Sequence, residues 1–128
     1  MTAARQALGH KGEEIVALEL AARGWLIVAR NARVRGLRGE LDIVAIHDRT
    51  LVFVEVKTVS AGTLAGPASP LEMVGRRKQA KLRALAGAWT AQNRTALPCR
   101  RGIRIDVVGL RIDPHGNVCD WQHVKAAC

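Results

Sequence analysis

The sequence predicts an α/β fold in which helices flank one mixed β-sheet. Two apolar runs, 40–46 and 51–59, are joined by the short polar stretch HDRT, which is typical of an antiparallel hairpin. A helical pattern then separates this hairpin from a further apolar run at 102–110. Because a helix between two strands favours a crossover connection within one sheet, we expect an antiparallel meander followed by a crossover strand.

The first predicted helix spans residues 10–23 and ends at Gly24, since glycine often follows the last residue of a helix. A strand is expected next, over 25–34, and it runs into a basic loop. Glu13 lies on the apolar face of the helix, where a charged side chain is unusual. The apolar residues of that face are Val16, Ala17 and Leu20.

The second helix is predicted from Ser69 to about Gln92. Its start carries a capping box, with Ser69 as the N-cap, Pro70 at the first helical position and Glu72 at the third. Lys78 falls on the apolar stripe of this helix. The other members of the stripe are Leu71, Val74, Leu82, Leu85 and Trp89.

The C-terminal part is predicted as a strand at 102–110, a turn at DPHGN and a short last strand at VCDWQHV. The element order is therefore helix, three strands, helix, strand, strand. At 128 residues the chain is long enough for one aliphatic core, so we expect a single domain over 1–128. Residues 111–128 would form its terminal turn and strand.

The charge balance points to a polyanionic partner. The chain has 20 Lys and Arg against 11 Asp and Glu, a net charge of +9. Such an excess attracts nucleic acid through counterion release, although a solvated basic surface is the structural alternative. The basic residues form three clusters, which are Arg30, Arg33, Arg35 and Arg38, then Arg76, Arg77, Lys78, Lys81 and Arg83, then Arg100, Arg101 and Arg104.

Membrane and secreted classes do not fit the sequence. No apolar run approaches the ~20 residues of a membrane span, and the N-terminal stretch lacks the apolar core of a signal peptide. The three cysteines, an odd number, favour a reducing compartment over a disulfide framework. We therefore expect a cytoplasmic protein with no membrane partner.

Charged residues interrupt the hairpin where apolar side chains are expected. If HDRT closes the turn so that Ile46 faces Leu51, Asp42 lies directly opposite Glu55. Opposed side chains have Cβ atoms ~4.5–5.5 Å apart, and like charges there destabilise a sheet unless they share a proton or a cation. With no Cys or His beside them, the implied cation is a hard one, Mg²⁺ or Mn²⁺.

Structural alternatives stay open for each of these residues. The carboxylates could lie on the solvent face of the hairpin, with Glu40 and Lys57 as a cross-strand ion pair. Glu13 could form the solvent edge of an amphipathic helix, and Lys78 could lay its stem on the core with its ammonium in water. Convergence favours a site, because several separate segments each place one ionisable group on a face expected to be apolar.

The spacing of Asp42, Glu55 and Lys57 resembles the PD-(D/E)xK nuclease signature, although no proline precedes Asp42. The first helix is similar to that of archaeal Holliday-junction resolvases, because Glu13 stands eleven residues before a Gly-Trp pair. More specifically, residues 9–110 resemble the YraN-like family, small bacterial proteins described as candidate endonucleases. The stretches that carry this resemblance are GEE from Gly12, GW at 24–25, Asn31, GELD at 39–42, LVFVEVKT at 51–58, Lys78 and IDVV at 105–108.

The resemblance implies a restriction-endonuclease-like fold and a Mg²⁺- or Mn²⁺-dependent hydrolysis of DNA phosphodiester bonds. Asp42 and Glu55 would bind the metal, with help from the Val56 carbonyl. Lys57 would orient the attacking water and stabilise the developing negative charge. Glu13 would reach the site from the first helix, so the implied catalytic set is Glu13, Asp42, Glu55 and Lys57.

This chain departs from the family at one position. Two residues past the signature lysine the family often carries a basic residue, and here that residue is Val59. Arg76 or Arg77 could supply the missing phosphate contact. The residues expected to contact nucleic acid are Arg33, Arg35, Arg38, Arg76, Arg77, Lys78 and Lys81.

Other readings compete with a DNA-cutting enzyme. A non-catalytic module could use the same surface on DNA or RNA, or the carboxylates could be purely structural. A homodimer is an option, since nucleases that cut two strands symmetrically tend to be two-fold. A zinc site is a further alternative, built from His115, Cys119, His123 and Cys128.

Overall fold

Five strands form one sheet, and a helix packs on each face. The computed structural model describes residues 2–61, 74–94 and 102–128. Within these ranges the strands follow one another across the sheet in chain order, and β3 and β4 form the one parallel pair. The elements are α1 (Ala3–Ala22), β1 (Leu26–Ala32), β2 (Leu41–His47), β3 (Thr50–Ser60), α2 (Arg76–Gln92), β4 (Gly102–Ile112) and β5 (Val118–Val124).

This arrangement confirms the predicted fold class, an antiparallel meander joined by a crossover helix to a parallel strand. The α/β sheet with flanking helices is restriction-endonuclease-like. None of the helices in the described ranges combines the length and apolar character that crossing a bilayer requires.

The β2–β3 hairpin has the predicted register. Ile46 pairs with Leu51, and the register continues unchanged along the hairpin. Asp42 and Glu55 therefore come opposite each other, one step beyond the last ladder pair. The turn is a two-residue one whose residues both have the positive φ that a type I′ turn requires, Asp48 (φ 49°) and Arg49 (φ 64°).

The first helix begins earlier than predicted. It starts at Ala3 rather than at residue 10, and the Thr2 hydroxyl caps it by accepting the Arg5 N–H at 3.2 Å. The added turns bury no side chain, and burial begins only at Gly12. The sequence of these first turns therefore shows no apolar periodicity that would mark a helix. The predicted end is confirmed, because Gly24 has φ 92° and its N–H bonds back to the helix.

The second helix begins later than predicted. It starts at Arg76, and the preceding Gly75 is an extended N-cap residue (φ −66°, ψ 166°). The prediction of one continuous helix from Ser69 was therefore wrong at Gly75, because the extended backbone of that residue interrupts the helix. The capping box at 69–72 lies outside the described residues. Val74 is buried ahead of the helix, and its carbonyl accepts the side-chain amide of Gln79 at 2.8 Å.

The core has two layers, because alternate residues of the central strand face opposite helices. Val52 and Val54 pack beneath α1, whereas Leu51 and Phe53 pack beneath α2. Trp89 of α2 meets the Phe53 ring edge-on, with centroids 5.9 Å apart. Each such buried side chain contributes roughly 1.5–3 kcal/mol, so the helices hold the middle of the sheet rigid.

Candidate functional site

Two carboxyl groups lie side by side where the β2–β3 ladder ends. Oδ2 of Asp42 accepts the backbone N–H of Val56 at 2.9 Å. Glu55 is only 4% exposed, and its Oε2 is buried with no hydrogen-bond partner among the residues that the structure describes. A buried carboxylate oxygen without a donor is costly. The pair therefore calls for a shared proton or a bound cation.

The pKa values show the same strain. Burial raises the pKa of Asp42 to about 8, and the adjacent negative charge of Glu55 adds to the rise, while the Val56 N–H opposes it. Burial also raises the pKa of Glu55, against the favourable charges of Lys78 and Lys57. At neutral pH and without a cation, the pair therefore retains a proton.

A second buried carboxylate shows how a structural one differs. Asp106 is 0% exposed, yet Arg104 donates to it twice, at 2.8 and 3.0 Å. His123 Nε2 lies 2.8 Å from Oδ2, and the Ala126 N–H donates to Oδ1 at 3.0 Å. Burial works against ionisation here, but these hydrogen bonds prevail and lower the pKa of Asp106. Glu55 has no such set of donors among the described residues.

Two lysines face the same oxygen of Glu55. Lys57 Nζ lies 4.0 Å from Oε1, and Lys78 Nζ lies 3.8 Å from it. Lys57 is two residues along the same strand, so it shares a face with Glu55. Lys78 comes from the stripe of α2 that faces the sheet, which explains why a cation interrupts that stripe.

Glu13 reaches the carboxyl pair from α1. Its Oε1 accepts the side-chain amide of Asn31 at 2.7 Å. Asn31 belongs to β1 and has φ 48°, a left-handed conformation that asparagine tolerates better than most residues. The negative charge of Glu13 contributes to the raised pKa values of Asp42 and Glu55. Glu13 therefore lies at the site and is not simply a solvent-facing edge of the helix.

All four predicted catalytic residues line one cleft of about 620 Å³. The second half of β3 forms one wall, and the first half of α1 forms the other. The two elements approach closely because Gly12 has no side chain, and a Cβ added there would collide with Thr58 Oγ1. Sequence reasoning missed three polar residues that α1 contributes to this cleft, two of which precede the predicted helix start at residue 10. They are Arg5, Gln6 and His10.

The oxygen donors of the cleft fit a hard cation. Asp42, Glu55 and the Val56 carbonyl are the ligand types that Mg²⁺ prefers, and Mg²⁺ commonly uses only one or two carboxylates and keeps several waters. Oε2 of Glu55, which has no partner within the described ranges, supplies the vacant acceptor such an ion needs. Across ranges 2–61, 74–94 and 102–128, no three His, Cys, Asp or Glu side chains are grouped closely enough to hold a metal. Glu13 is therefore near the pair without forming a third member of a metal-binding group.

The zinc alternative is wrong for this structure. His123 is occupied by Asp106, and the Cys119 thiol lies 3.5 Å from the Arg111 carbonyl. Among the described residues no three His, Cys, Asp or Glu side chains come together, so His115, Cys119, His123 and Cys128 form no zinc-type cluster. Both described cysteines are free thiols, Cys119 and Cys128.

The first basic cluster lies on the loop between β1 and β2. Arg33 forms an ion pair with Glu40 at 2.8 Å, so the alternative pairing of Glu40 with Lys57 was wrong. Glu40 precedes β2 and is outside the ladder, which leaves it free to turn toward the loop. Arg35 and Arg38 are exposed on the same loop.

The second basic cluster lies on α2. Arg76 and Arg77 are exposed in its first turn, and Lys81 is half-buried one turn beyond. Within the third cluster, Arg104 is bound to Asp106 and is not available to a phosphate. The other two residues of that cluster, Arg100 and Arg101, lie outside the described residues.

Comparison with known proteins gives the family. The model of "Uncharacterised protein family UPF0102" matches residues 12–110. A UPF0102 protein of Clavibacter michiganensis subsp. michiganensis is 48% identical over 124 residues, which are 96% of this chain and 97% of that protein. A UPF0102 protein of Chlorobaculum tepidum is 40% identical over 126 residues, covering 97% and 93%. One of Roseiflexus castenholzii is 39% identical over 127 residues, covering 99% and 97%. These matches span nearly the whole chain, and it belongs to the uncharacterised protein family UPF0102, the YraN family.

Proposed function

We propose that this protein is a Mg²⁺- or Mn²⁺-dependent endonuclease that hydrolyses phosphodiester bonds of DNA. The observation that carries the proposal is the buried Asp42–Glu55 pair, in which Glu55 Oε2 has no partner in the described chain while two lysines face Oε1. A purely structural pair would be satisfied, as Asp106 is. A cleft that holds both carboxylates and an ammonium suits a reaction in which negative charge develops on a phosphate.

Asp42 and Glu55 would hold the cation, together with the Val56 carbonyl. When bound, the ion would supply positive charge and Lewis acidity at the phosphate oxygens. Cation binding would also remove the cost of two adjacent buried carboxylates, which is the strain that raises the pKa values of both groups. The ion that the reaction needs would therefore also stabilise the folded protein by relieving the repulsion between its two carboxylate ligands.

The chain's own side chains would position the nucleophile and stabilise the charge. Glu55 orients the Lys57 ammonium, which can donate hydrogen bonds to the attacking water and to the phosphate oxygens. Asn31 holds one oxygen of Glu13, so the carboxylate stays aimed into the cleft and can accept a hydrogen bond from that water. The water oxygen would bond to phosphorus as its proton passes to the Glu13 carboxylate, one phosphorus–oxygen bond to the sugar would break, and the departing oxygen would take a proton from solvent.

Basic residues outside the cleft would bind the DNA backbone. Arg76 and Arg77 lie on the exposed start of the helix that brings Lys78 to the carboxylates. Arg35 and Arg38 would add contacts from the loop beside β2, and so would Arg33, whose exposed ion pair with Glu40 is weak enough to exchange for a phosphate. Such contacts supply affinity without sequence preference. We expect the protein to act in the cytoplasm, where its thiols stay reduced.

A cleavage assay tests the proposal. Purified protein should nick or cut at least one DNA among linear, single-stranded, flapped and four-way-junction substrates, only with Mg²⁺ or Mn²⁺, and EDTA should stop it. Glu55→Gln should lose this activity because the amide cannot replace a metal-binding carboxylate. The matched control is Glu14→Gln, on the exposed face of α1, which should cut like the parent.

Two outcomes would contradict the proposal. Equal cutting by the parent and by Glu55→Gln would mean that the activity comes from another site or from a contaminant. Binding to DNA without cleavage on any substrate and with either metal would favour the alternative function, a nucleic-acid-binding module on the same fold.

A further inference from the structure

We infer that the cleft between α1 and β3 binds a single unpaired DNA strand, and that its α1 wall holds a phosphate next to the scissile one. This inference deepens the proposed function and rests on it. It concerns three residues that neither the nuclease signature nor the basic clusters include, namely Arg5, Gln6 and His10.

The cleft has two chemically different ends. Glu13, Asp42 and Glu55 make one end acidic, whereas Arg5 and His10 lie on earlier turns of the helix. At a rise of 1.5 Å per residue, the backbone of Arg5 lies ~12 Å from that of Glu13 along the helix axis. A phosphodiester chain could therefore extend from the carboxylates to the basic end within the same cleft.

The donors share one helix face. Gln6, His10 and Glu13 are spaced by four and three residues, and Arg5 stands four residues before Gly9. Gly9 lies between Arg5 and His10, and a Cβ added there would meet open space. The wall is thus polar at its end and open in its middle. In the described part of the chain, no carboxylate forms an ion pair with Arg5.

The size and depth of the cleft favour one strand over two. About 620 Å³ is the size of a pocket for a small ligand, which corresponds to a short piece of one strand. Glu55 lines the cleft and is only 4% exposed, so a phosphate must enter the cleft to reach it. A duplex, whose major groove alone is ~12 Å wide, would rest on the rim with its phosphates outside.

The sides of the cleft are suited to bases. Leu8 from the helix and Val59 from the strand contribute half-buried apolar surface to the lining. Unpaired bases can place their faces against such surface, which the stacked bases of a duplex cannot do. α1 and β3 meet at the tight contact of Gly12 with Thr58, so the strand would run along the cleft and not between the two elements at that point.

The test measures binding without catalysis. Fluorescence anisotropy in EDTA would compare a labelled eight-nucleotide oligothymidine with a labelled hairpin duplex, using the full chain. Arg5→Ala should weaken binding of the single strand by about 3- to 10-fold and flatten its log K against log[salt] slope by ~0.7, the value for one phosphate that is no longer neutralised. Binding of the duplex, which uses α2 and the β1–β2 loop, should change less than twofold.

Lys11→Ala is the matched control, because it removes the same charge from the same helix. Lys11 lines a different cavity, beside Pro114 and His115. It should change single-strand affinity less than twofold, and His10→Ala should weaken it more than this control does. All three positions are exposed, and circular dichroism would check that the variants are folded.

The outcomes separate this inference from the proposed function. Equal reductions of affinity in Arg5→Ala and Lys11→Ala, or a loss of duplex affinity in Arg5→Ala as large as the loss of single-strand affinity, would overturn the inference even if the protein cuts DNA. A specific reduction in Arg5→Ala, with no cleavage by the parent under any metal, would instead uphold single-strand binding and overturn the nuclease.

Discussion

Replacing Asp42 by asparagine tests whether the two opposed carboxyls strain the fold. Asparagine keeps the shape of the side chain, and its carbonyl oxygen can still accept the Val56 N–H. Its amide can in addition donate to Glu55, whose Oε2 otherwise has no partner among the described residues. The variant thus removes one charge and supplies one donor, so we expect the metal-free protein to be more stable than the parent at neutral pH.

The expected gain in the free energy of unfolding follows from the pKa of Asp42, which is about 8 in the folded protein against an ordinary 3.8. Between these values the folded state holds a proton that the unfolded state has released, so the free energy of unfolding falls as the pH rises. The slope is about 1.4 kcal/mol per pH unit, or on the order of 4 kcal/mol between pH 4 and pH 7. Asp42→Asn lacks this pH dependence, and its advantage should grow with pH and level off above about pH 8.

Urea unfolding in EDTA, followed by tryptophan fluorescence at several pH values, measures this difference directly. The matched control is Glu14→Gln on the exposed face of α1, which also removes one carboxylate and should follow the parent at every pH. Stability curves of parent and Asp42→Asn that run parallel with pH would refute the reasoning. So would an Asp42→Asn protein that is less stable than the parent and still cuts DNA, since Asp42 would then be a structural acceptor.

Metal addition is the second half of the same test. Mg²⁺ should raise the melting temperature of the parent, because a ligand that binds only the folded state stabilises it, by ~2.7 kcal/mol at a hundred times its Kd. Asp42→Asn should respond little. An equal response in both proteins would place the cation elsewhere.

Further substitutions test the remaining parts of the site. Lys57→Ala should lose most cleavage in single-turnover assays while keeping most DNA affinity. Lys57→Arg should not restore cleavage, because a planar guanidinium does not reproduce a compact ammonium. Full activity in Lys57→Ala would remove this residue from the mechanism. Gly12→Ala forces a Cβ against the neighbouring strand, so we expect the free energy of unfolding to fall by about 1–3 kcal/mol. Gly9→Ala, whose Cβ meets open space, should be neutral or stabilising. Identical melting curves for the two variants would disprove the tight contact. Replacing Arg76 and Arg77 together by alanine should weaken duplex binding on all sequences alike. The slope of log K against log[salt] should flatten by ~0.9 for each phosphate that these arginines neutralise in the parent. An unchanged slope would make these residues a solubility feature only.

Local rules predicted the hairpin and its charged pair correctly. The polar turn fixes which residues face each other, and strand periodicity then brings Asp42 opposite Glu55. Gly24 marked the end of the first helix, because a residue with positive φ is most easily a glycine. The place of Glu13 on the buried face followed from helical spacing, and the structure puts its side chain at the carboxyl pair.

Helix starts were less predictable. The first turns of α1 bury no side chain, so they carry no apolar pattern, and their start depends on the Thr2 cap. In the sequence, Gly75 is compatible with a helix. In the structure its backbone is extended, so α2 begins only at the next residue, Arg76. At α1 the error came from turns that bury no side chain, and at α2 it came from a buried residue, Val74, that precedes the helix.

The sequence by itself determined the order of the elements, the register of the hairpin and the family of the chain, because each depends on neighbouring residues or on a contiguous pattern. Only the tertiary structure decided which charges meet. It brought Lys78 to Glu55, joined His123 to Asp106, turned Glu40 toward Arg33 and placed Arg5 in the cleft. These contacts join residues on different elements or at their ends. Their partners are therefore set by how helices and strands pack in space, and spacing along the chain does not contain that information.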